Sequence, residues 1–150
     1  MARAIRVKDP DRCIGCYSCM LACARLVHRS HSLTKSAIRV QTRGGLQSKW
    51  GIDVCRACPD APCAEACPTG ALIPRPGGGV SFNRNKCSRC GNCANACVLR
   101  VIHFDEEGYP IVCLYCGHCA RFCPQEVIVW EEIAPDSGRS GDRTQDRPGE

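Results

Sequence analysis

The sequence predicts a small α+β protein built from a repeated unit of strand, cysteine loop, short helix and strand. Three observations predict it. Sixteen of the 150 residues are cysteine, and they fall into four quartets with none left over. Short β-type runs lie between the quartets. The apolar supply is thin: with the cysteines set aside, about a third of the chain is apolar, and only eight residues are aromatic (2 Trp, 3 Tyr, 3 Phe). A core that thin needs a metal or disulfide staple.

The elements follow in order. "AIRV" at 4–7 reads as a strand leading into the first quartet, Cys13, Cys16, Cys19 and Cys23, spaced C-x2-C-x2-C-x3-C. "AIRV" recurs at 37–40. The second quartet, Cys55, Cys58, Cys63 and Cys67, is spaced C-x2-C-x4-C-x3-C and is followed by Pro68. "GALIP" at 70–74 and "GVSF" at 79–82 flank the turn signal "RPGG", and "GGG" at 77–79 reads as a flexible turn. Cys87, Cys90, Cys93 and Cys97 form the third quartet. "VIHF" at 101–104 and "YPIV" at 109–112 flank "DEEG" as a hairpin. The fourth quartet, Cys113, Cys116, Cys119 and Cys123, is followed by Pro124, and "EVIVWEEI" at 126–133 closes the repeat. Stretches such as "CAEAC" and "CANAC" suit one or two helical turns. Residues 134–150 carry one alanine and no other apolar side chain. Such a segment cannot offset its ordering entropy unaided and reads as a flexible tail.

The spacing carries chemistry. Three cysteines at i, i+3 and i+6 on a tight loop reach three corners of one iron–sulfur cubane. A fourth, on the outgoing helix, points away from that loop, and in bacterial two-cluster ferredoxins it ligates the other cluster. Four near copies predict four 4Fe-4S clusters held by sixteen cysteines. Structural zinc wants two ligand pairs separated by a longer stretch, and a disulfide scaffold would have to join badly placed near neighbours.

Other classes lose their support. The formal charge of +5 hints at nucleic acid, but four oxidised clusters with their thiolates add about −8 and bring the total to roughly −3. Arg12, Arg56, Arg84, Lys86, Arg89 and Arg121 lie near the loops, where they can offset that charge. No G-x4-G-K-[ST] loop is present, and no G-x-G-x-x-G follows a strand. A full cysteine set on every cluster leaves no iron open to substrate, so no catalytic residue is expected. His28, His31, His103 and His118 form no metal pattern, and Trp50 and Trp130 read as packing residues. No run of eighteen apolar residues exists, and "MARAIRVKDPDRC" has no apolar leader stretch. The expected setting is a reducing cytoplasm, where clustered thiols mean metal.

With these motifs the chain resembles the four-cluster, ferredoxin-like electron-transfer subunits of molybdenum and tungsten pterin oxidoreductases. That group includes those of dimethyl sulfoxide reductase, formate dehydrogenase and nitrate reductase, and the small polyferredoxin subunits of tungsten aldehyde oxidoreductases. The likeness covers residues 4–133. Its second quartet, "CRACPDAPCAEACPTGAL", carries the group's two-residue insertion and Pro-x-Gly-Ala ending. The compact length favours the aldehyde-oxidoreductase type. Ala24 and Val98 stand where ferredoxins usually place proline after the fourth cysteine, which bears on the local backbone and not on the ligands.

The residues alone permit either sequential or nested pairing of the quartets. The resemblance implies nesting. Cys13, Cys16, Cys19 and Cys123 then hold one cluster, and Cys113, Cys116, Cys119 and Cys23 the second. Cys55, Cys58, Cys63 and Cys97 hold the third, and Cys87, Cys90, Cys93 and Cys67 the fourth. The expected architecture is two pseudo-symmetric ferredoxin-like modules within residues 1–133: an inner one over about 51–104 and an outer one from 1–50 plus 105–133. The implied function is electron relay between a tungsten or molybdenum pterin catalytic subunit, with aldehyde oxidation foremost, and a flavin or NAD-reducing subunit or a ferredoxin. A cluster near each end would also permit several copies in series. The alternatives are a relay for another reductase, a formate dehydrogenase or a hydrogenase, and, in a different class, a metal-stapled binding module with redox-silent clusters.

Overall fold

Strand β1 (Arg3–Val7) and strand β8 (Ile128–Glu132) come from opposite ends of the cysteine-bearing chain and pair antiparallel, from Arg3 opposite Glu132 to Val7 opposite Ile128. The computed structural model describes residues 2–42, 44 and 49–133; the tail expected at 134–150 lies outside them. Opposite charges meet across the β1–β8 ladder, with Arg3 3.3 Å from Glu132 and Arg6 4.0 Å from Glu131. The Arg3 guanidinium also lies 4.4 Å from the centre of the Trp130 ring.

Three further two-stranded sheets follow. β2 (Arg39–Thr42) pairs with β3 (Trp50–Asp53), β4 (Leu72–Pro74) with β5 (Val80–Phe82), and β6 (His103–Phe104) with β7 (Pro110–Ile111), all antiparallel. Four helices sit at the quartets: α1 (Ser18–His28), α2 (Pro62–Glu65), α3 (Asn92–Ala96) and α4 (His118–Arg121). Helix α1 packs on α4, and α2 on α3. The strand expected at 37–40 begins two residues later, because Ser36, Ala37 and Ile38 are buried as an irregular stretch. Its partner β3 carries Gly51 and Asp53, which weaken any strand signal in the sequence. The boundary expected between 104 and 105 falls inside the β6–β7 hairpin.

The cysteine loops repeat a backbone pattern. Two residues after the first cysteine of each quartet the chain is left-handed: Gly15 (φ 68°), Ala57 (54°), Arg89 (59°) and Tyr115 (54°). It is left-handed again just before each helix, at Tyr17, Ala61, Gly91 and Gly117. For a residue with a Cβ this conformation costs about 1–2 kcal/mol, so its recurrence marks a demand of the loop that outweighs local preference.

The exits differ. After the fourth cysteine, Gly70, Arg100 and Glu126 are left-handed, and their N–H groups return to the carbonyls of Cys67, Cys97 and Cys123 at 3.4, 3.0 and 3.3 Å. Val98, in the place of proline, leaves this turn unchanged. Ala24 does not: α1 continues past it to His28 and ends at left-handed Arg29.

Two apolar clusters organise the interior. One joins the chain ends and the 37–54 region and includes Ile5, Met20, Ile38, Val54, Val127 and Ile128. The other is smaller and lies between α2, α3 and β4–β5, with Ala61, Ala64, Leu72, Val80 and Val112. Tyr115, Ala4 and Ala57 form a third group between them.

Candidate metal centres

Each quartet's first two cysteines ride on the twice-turned loop described above, its third lies in the first turn of the following helix, and its fourth on that helix or just past it. The structure brings these groups to four cavities. Cys13, Cys16 and Cys19 line one with Cys123. Cys23 lines another with Cys113, Cys116 and Cys119. Cys55, Cys58, Cys63 and Cys97 line a third, which Cys113 also borders. Cys67 lines the fourth with Cys87, Cys90 and Cys93. Each cavity therefore joins three cysteines of one quartet to the fourth of another, the third cavity with Cys113 in addition, and all sixteen are free thiols.

The donor set fits an iron–sulfur core better than a single ion. Among the described residues, no three His, Cys, Asp or Glu side chains converge closely enough to hold one metal ion. A lone zinc draws thiolates to about 2.3 Å, whereas a cubane keeps its four thiolates much further apart. Backbone amides already address several sulfurs. Tyr115 N lies 3.4 Å from Cys113 Sγ, Arg89 N 3.4 Å from Cys87 Sγ, and Ala37 N 3.3 Å from Cys23 Sγ. None of the four helices has a side-chain hydrogen bond capping its N-terminus.

The thiols sit in contrasting settings. Burial pushes Cys19 and Cys119 up to about 12 and Cys63 up to about 11, with neighbouring cysteines adding to the rise. Burial also raises Cys113, Cys58 and Cys93. These sulfurs ionise only against a compensating positive core, so loading such a core displaces protons. At Cys67 burial also acts upward, but backbone N–H groups of Leu72, Ala71 and Thr69 and the Thr69 hydroxyl outweigh it and bring the thiol down to about 7. The Ser18 hydroxyl and N–H lower Cys16.

Other sequence-level candidates settle as follows. Arg84 pairs with Asp105 at 3.7 Å and with Glu107, and stacks 3.9 Å from the centre of Tyr109. Arg89 donates to the Glu107 carbonyl. Arg84 is thus drawn into surface ion pairs, whereas Arg89 bonds a neutral carbonyl and keeps its charge. His103 sets its two ring nitrogens beside two carbonyls, Ser36 at 2.7 Å and Val101 at 3.2 Å, and the neutral ring donates to one of them. Trp50 packs against Gly15 and meets Tyr17 edge-on at 5.9 Å, and Trp130 packs against Gly117. The turn expected at 77–79 is present, with the Gly78 N–H returning to the Arg75 carbonyl at 3.0 Å, and it is also a close contact. Gly78 lies under the Ala57 carbonyl and Gly79 under the Tyr115 ring, where an added Cβ would meet atoms at 2.5 Å in each case. The residue that sequence reasoning missed is Tyr115. Its hydroxyl lies 3.2 Å from Cys55 Sγ, 60 positions away, and no local pattern encodes that contact.

Comparison with known proteins agrees with this chemistry. The 4Fe-4S binding domain family matches residues 6–23, which hold the first quartet. The formate dehydrogenase iron-sulfur subunit of Wolinella succinogenes is 31% identical over 72% of this chain and 56% of its own length. The arsenate respiratory reductase iron-sulfur subunit of a Shewanella species is 34% identical over 66% of this chain and 44% of its own. The thiosulfate reductase electron transfer subunit of Salmonella typhi is 29% identical over 69% of this chain and 56% of its own. The chain thus spans about half the length of these curated relatives. All three names describe iron-sulfur or electron-transfer subunits, not catalytic ones. No helix among the described residues is long and apolar enough to cross a membrane.

Proposed function

We propose that this protein is a non-catalytic electron-transfer subunit that relays electrons through four 4Fe-4S clusters, in two pseudo-symmetric ferredoxin-like modules, between a catalytic subunit and an acceptor. The observation that carries the reading is the set of four cavities, each walled by three cysteines of one quartet and a fourth from another. When bound, such clusters supply reversible one-electron transfer at potentials set by charge, hydrogen bonds to sulfur and solvent exposure.

In this reading the ligand sets are Cys13, Cys16, Cys19 with Cys123; Cys113, Cys116, Cys119 with Cys23; Cys55, Cys58, Cys63 with Cys97; and Cys87, Cys90, Cys93 with Cys67. The chain's own work is to hold those sulfurs, shield them and bias their charge. Buried Cys19, Cys23, Cys93 and Cys119 face inward, while exposed Cys16, Cys90 and Cys116 bring three of the sets to the surface, where outer-sphere transfer to a partner can occur. The proposed partner is a tungsten or molybdenum pterin oxidoreductase. The names of the relatives weigh toward a formate dehydrogenase or reductase of that kind, and aldehyde oxidation rests on chain length alone. The acceptor is a flavin or NAD-reducing subunit or a ferredoxin. A reducing cytoplasm keeps the ligand thiols available for loading, and the reading places the protein there.

Metal and acid-labile sulfide analysis of the purified protein tests this, followed by reduction with a low-potential donor. The reading expects about sixteen iron per chain and visible absorption that bleaches on reduction. A colourless zinc protein overturns the cofactor, and absorption that no donor bleaches overturns electron transfer in favour of a structural role.

A further inference from the structure

Tyr115 belongs to the loop of the fourth quartet, two residues after Cys113, yet its ring reaches into the cavity of Cys55, Cys58, Cys63 and Cys97. Its own N–H lies 3.4 Å from Cys113 Sγ and its hydroxyl 3.2 Å from Cys55 Sγ. One buried side chain, 4% exposed, thus joins sulfurs of two different cysteine sets.

The direction of the hydroxyl bond follows from its other partner. The Val80 N–H donates to Tyr115 Oη at 3.1 Å, which occupies the acceptor side of that oxygen and leaves the O–H for Cys55. A metal-bound thiolate can only accept. The ring has little freedom to leave. Arg75 stacks 4.5 Å from its centre, Trp130 Nε1 donates to the Tyr115 carbonyl at 2.9 Å, and Gly79 leaves the space that a Cβ would fill. The backbone is left-handed at φ 54°, a strain the surrounding contacts hold in place.

We propose that Tyr115 is a positioning residue that sets the potential of the cluster on Cys55, Cys58, Cys63 and Cys97 from the loop of the neighbouring cluster. The inference rests on the four-cluster reading above. The electron balance is simple: one electron enters that cluster and no proton moves. The reduced form carries one more negative charge and takes the stronger O–H···S bond, so the bond favours reduction. Loss of the hydroxyl therefore lowers that cluster's midpoint.

The experiment is a redox titration of the holoprotein followed by electron paramagnetic resonance, comparing wild type with Tyr115→Phe. Expected is a fall in one midpoint, such that the reduced-to-oxidised ratio of that cluster at its wild-type midpoint drops about tenfold. The other midpoints and the iron content should hold. Tyr115→Phe also orphans the Val80 N–H and can impair loading. A second preparation with 3-fluorotyrosine in place of tyrosine keeps the hydroxyl between Val80 and Cys55 and makes it a stronger donor. Its expected shift is upward, in the same cluster. Among the described residues Tyr115 is the tyrosine whose hydroxyl meets a cysteine sulfur, so the other tyrosines do not confuse the result. Unchanged midpoints in the fluorotyrosine protein, or a uniform shift of all clusters, overturn the inference. Wild-type protein without reducible iron overturns the four-cluster reading and this inference with it, whereas reducible wild-type clusters without the selective shift overturn the inference alone.

Discussion

The loops of Cys13–Cys23 and Cys113–Cys123 meet through a packed apolar cluster, an eleven-residue helix and the β1–β8 ladder. The loops of Cys55–Cys67 and Cys87–Cys97 meet through two helices of four and five residues, a hairpin of three-residue strands and a smaller cluster that includes Ala61 and Ala64. The first pair is about ninety residues apart in sequence, from Cys23 to Cys113, and the second about twenty, from Cys67 to Cys87. Loop closure alone makes the longer connection only about 1.3 kcal/mol more costly. Burial of a single Ile offsets that, at about 1.5–3 kcal/mol. The apolar cluster at the chain ends therefore does more than close a loop: it stabilises the molecule, while the inner loops depend more heavily on what their cysteines bind.

Iron removal breaks this comparison most severely. Because every cavity draws on two quartets and the left-handed loops are strained, stripped protein should lose its sharp cooperative thermal transition by circular dichroism. Amide exchange should show residues 57–97 opening before β1 and β8. A stripped protein that keeps a sharp melt contradicts the coupling.

Core truncation is next. Ile5→Ala and Ile38→Ala, each 1% exposed, should cost about 2–5 kcal/mol in denaturant unfolding of the holoprotein. Leu72→Ala, in the smaller cluster, should fall at the lower end of that range. Equal costs would remove the distinction between the two regions.

The glycines sharpen it further. An added Cβ at Gly15 would lie 2.1 Å from Trp50 and one at Gly117 2.6 Å from Trp130, whereas at Gly91 the nearest atom is Phe104 Cζ at 3.9 Å. All three are left-handed, so each alanine substitution costs about 1–2 kcal/mol. Overpacking should add about 1–3 kcal/mol at Gly15 and Gly117 only.

The smallest effect is at the seam. His103 sits between the Ser36 and Val101 carbonyls, and burial holds its imidazole below the ordinary value. Between that lowered value and the ordinary one near 6.5, the unfolded chain binds more protons than the folded one. Stability therefore rises with pH in this window and is lost as pH falls through it. His28 is displaced the same way by burial. His103→Gln should flatten part of the slope in unfolding measured from pH 5.5 to 7.5.

Much of this was legible from cysteine spacing. The quartets locate every loop, because a cubane fixes which residues must converge; the runs at 70–74, 79–82 and 126–133 contain the strands β4, β5 and β8, and the run at 4–7 misses only the first residue of β1. Pairing was not legible from the residues, since either partner for Cys23 satisfies the same local spacing. Gly79 and Tyr115 were not legible for a related reason. Their contact joins segments 35 or more positions apart, as the Tyr115–Val80 bond does, and a triple glycine has the same local signature whether it flexes or admits a ring. The long α1 was not legible from Ala24, since Val98 too stands in place of the proline that Pro68 and Pro124 supply, and α3 still ends at Ala96.

The shared ligation of each cavity is tested most directly by iron analysis of paired cysteine variants. Cys23→Ala with Cys116→Ala removes two sulfurs from one cavity and should leave about twelve iron per chain. Cys23→Ala with Cys16→Ala takes one sulfur from each of two cavities and should leave about eight, four being lost with each cluster. The reverse result, eight for the first pair and twelve for the second, would mean that each quartet holds its own cluster and would contradict the account.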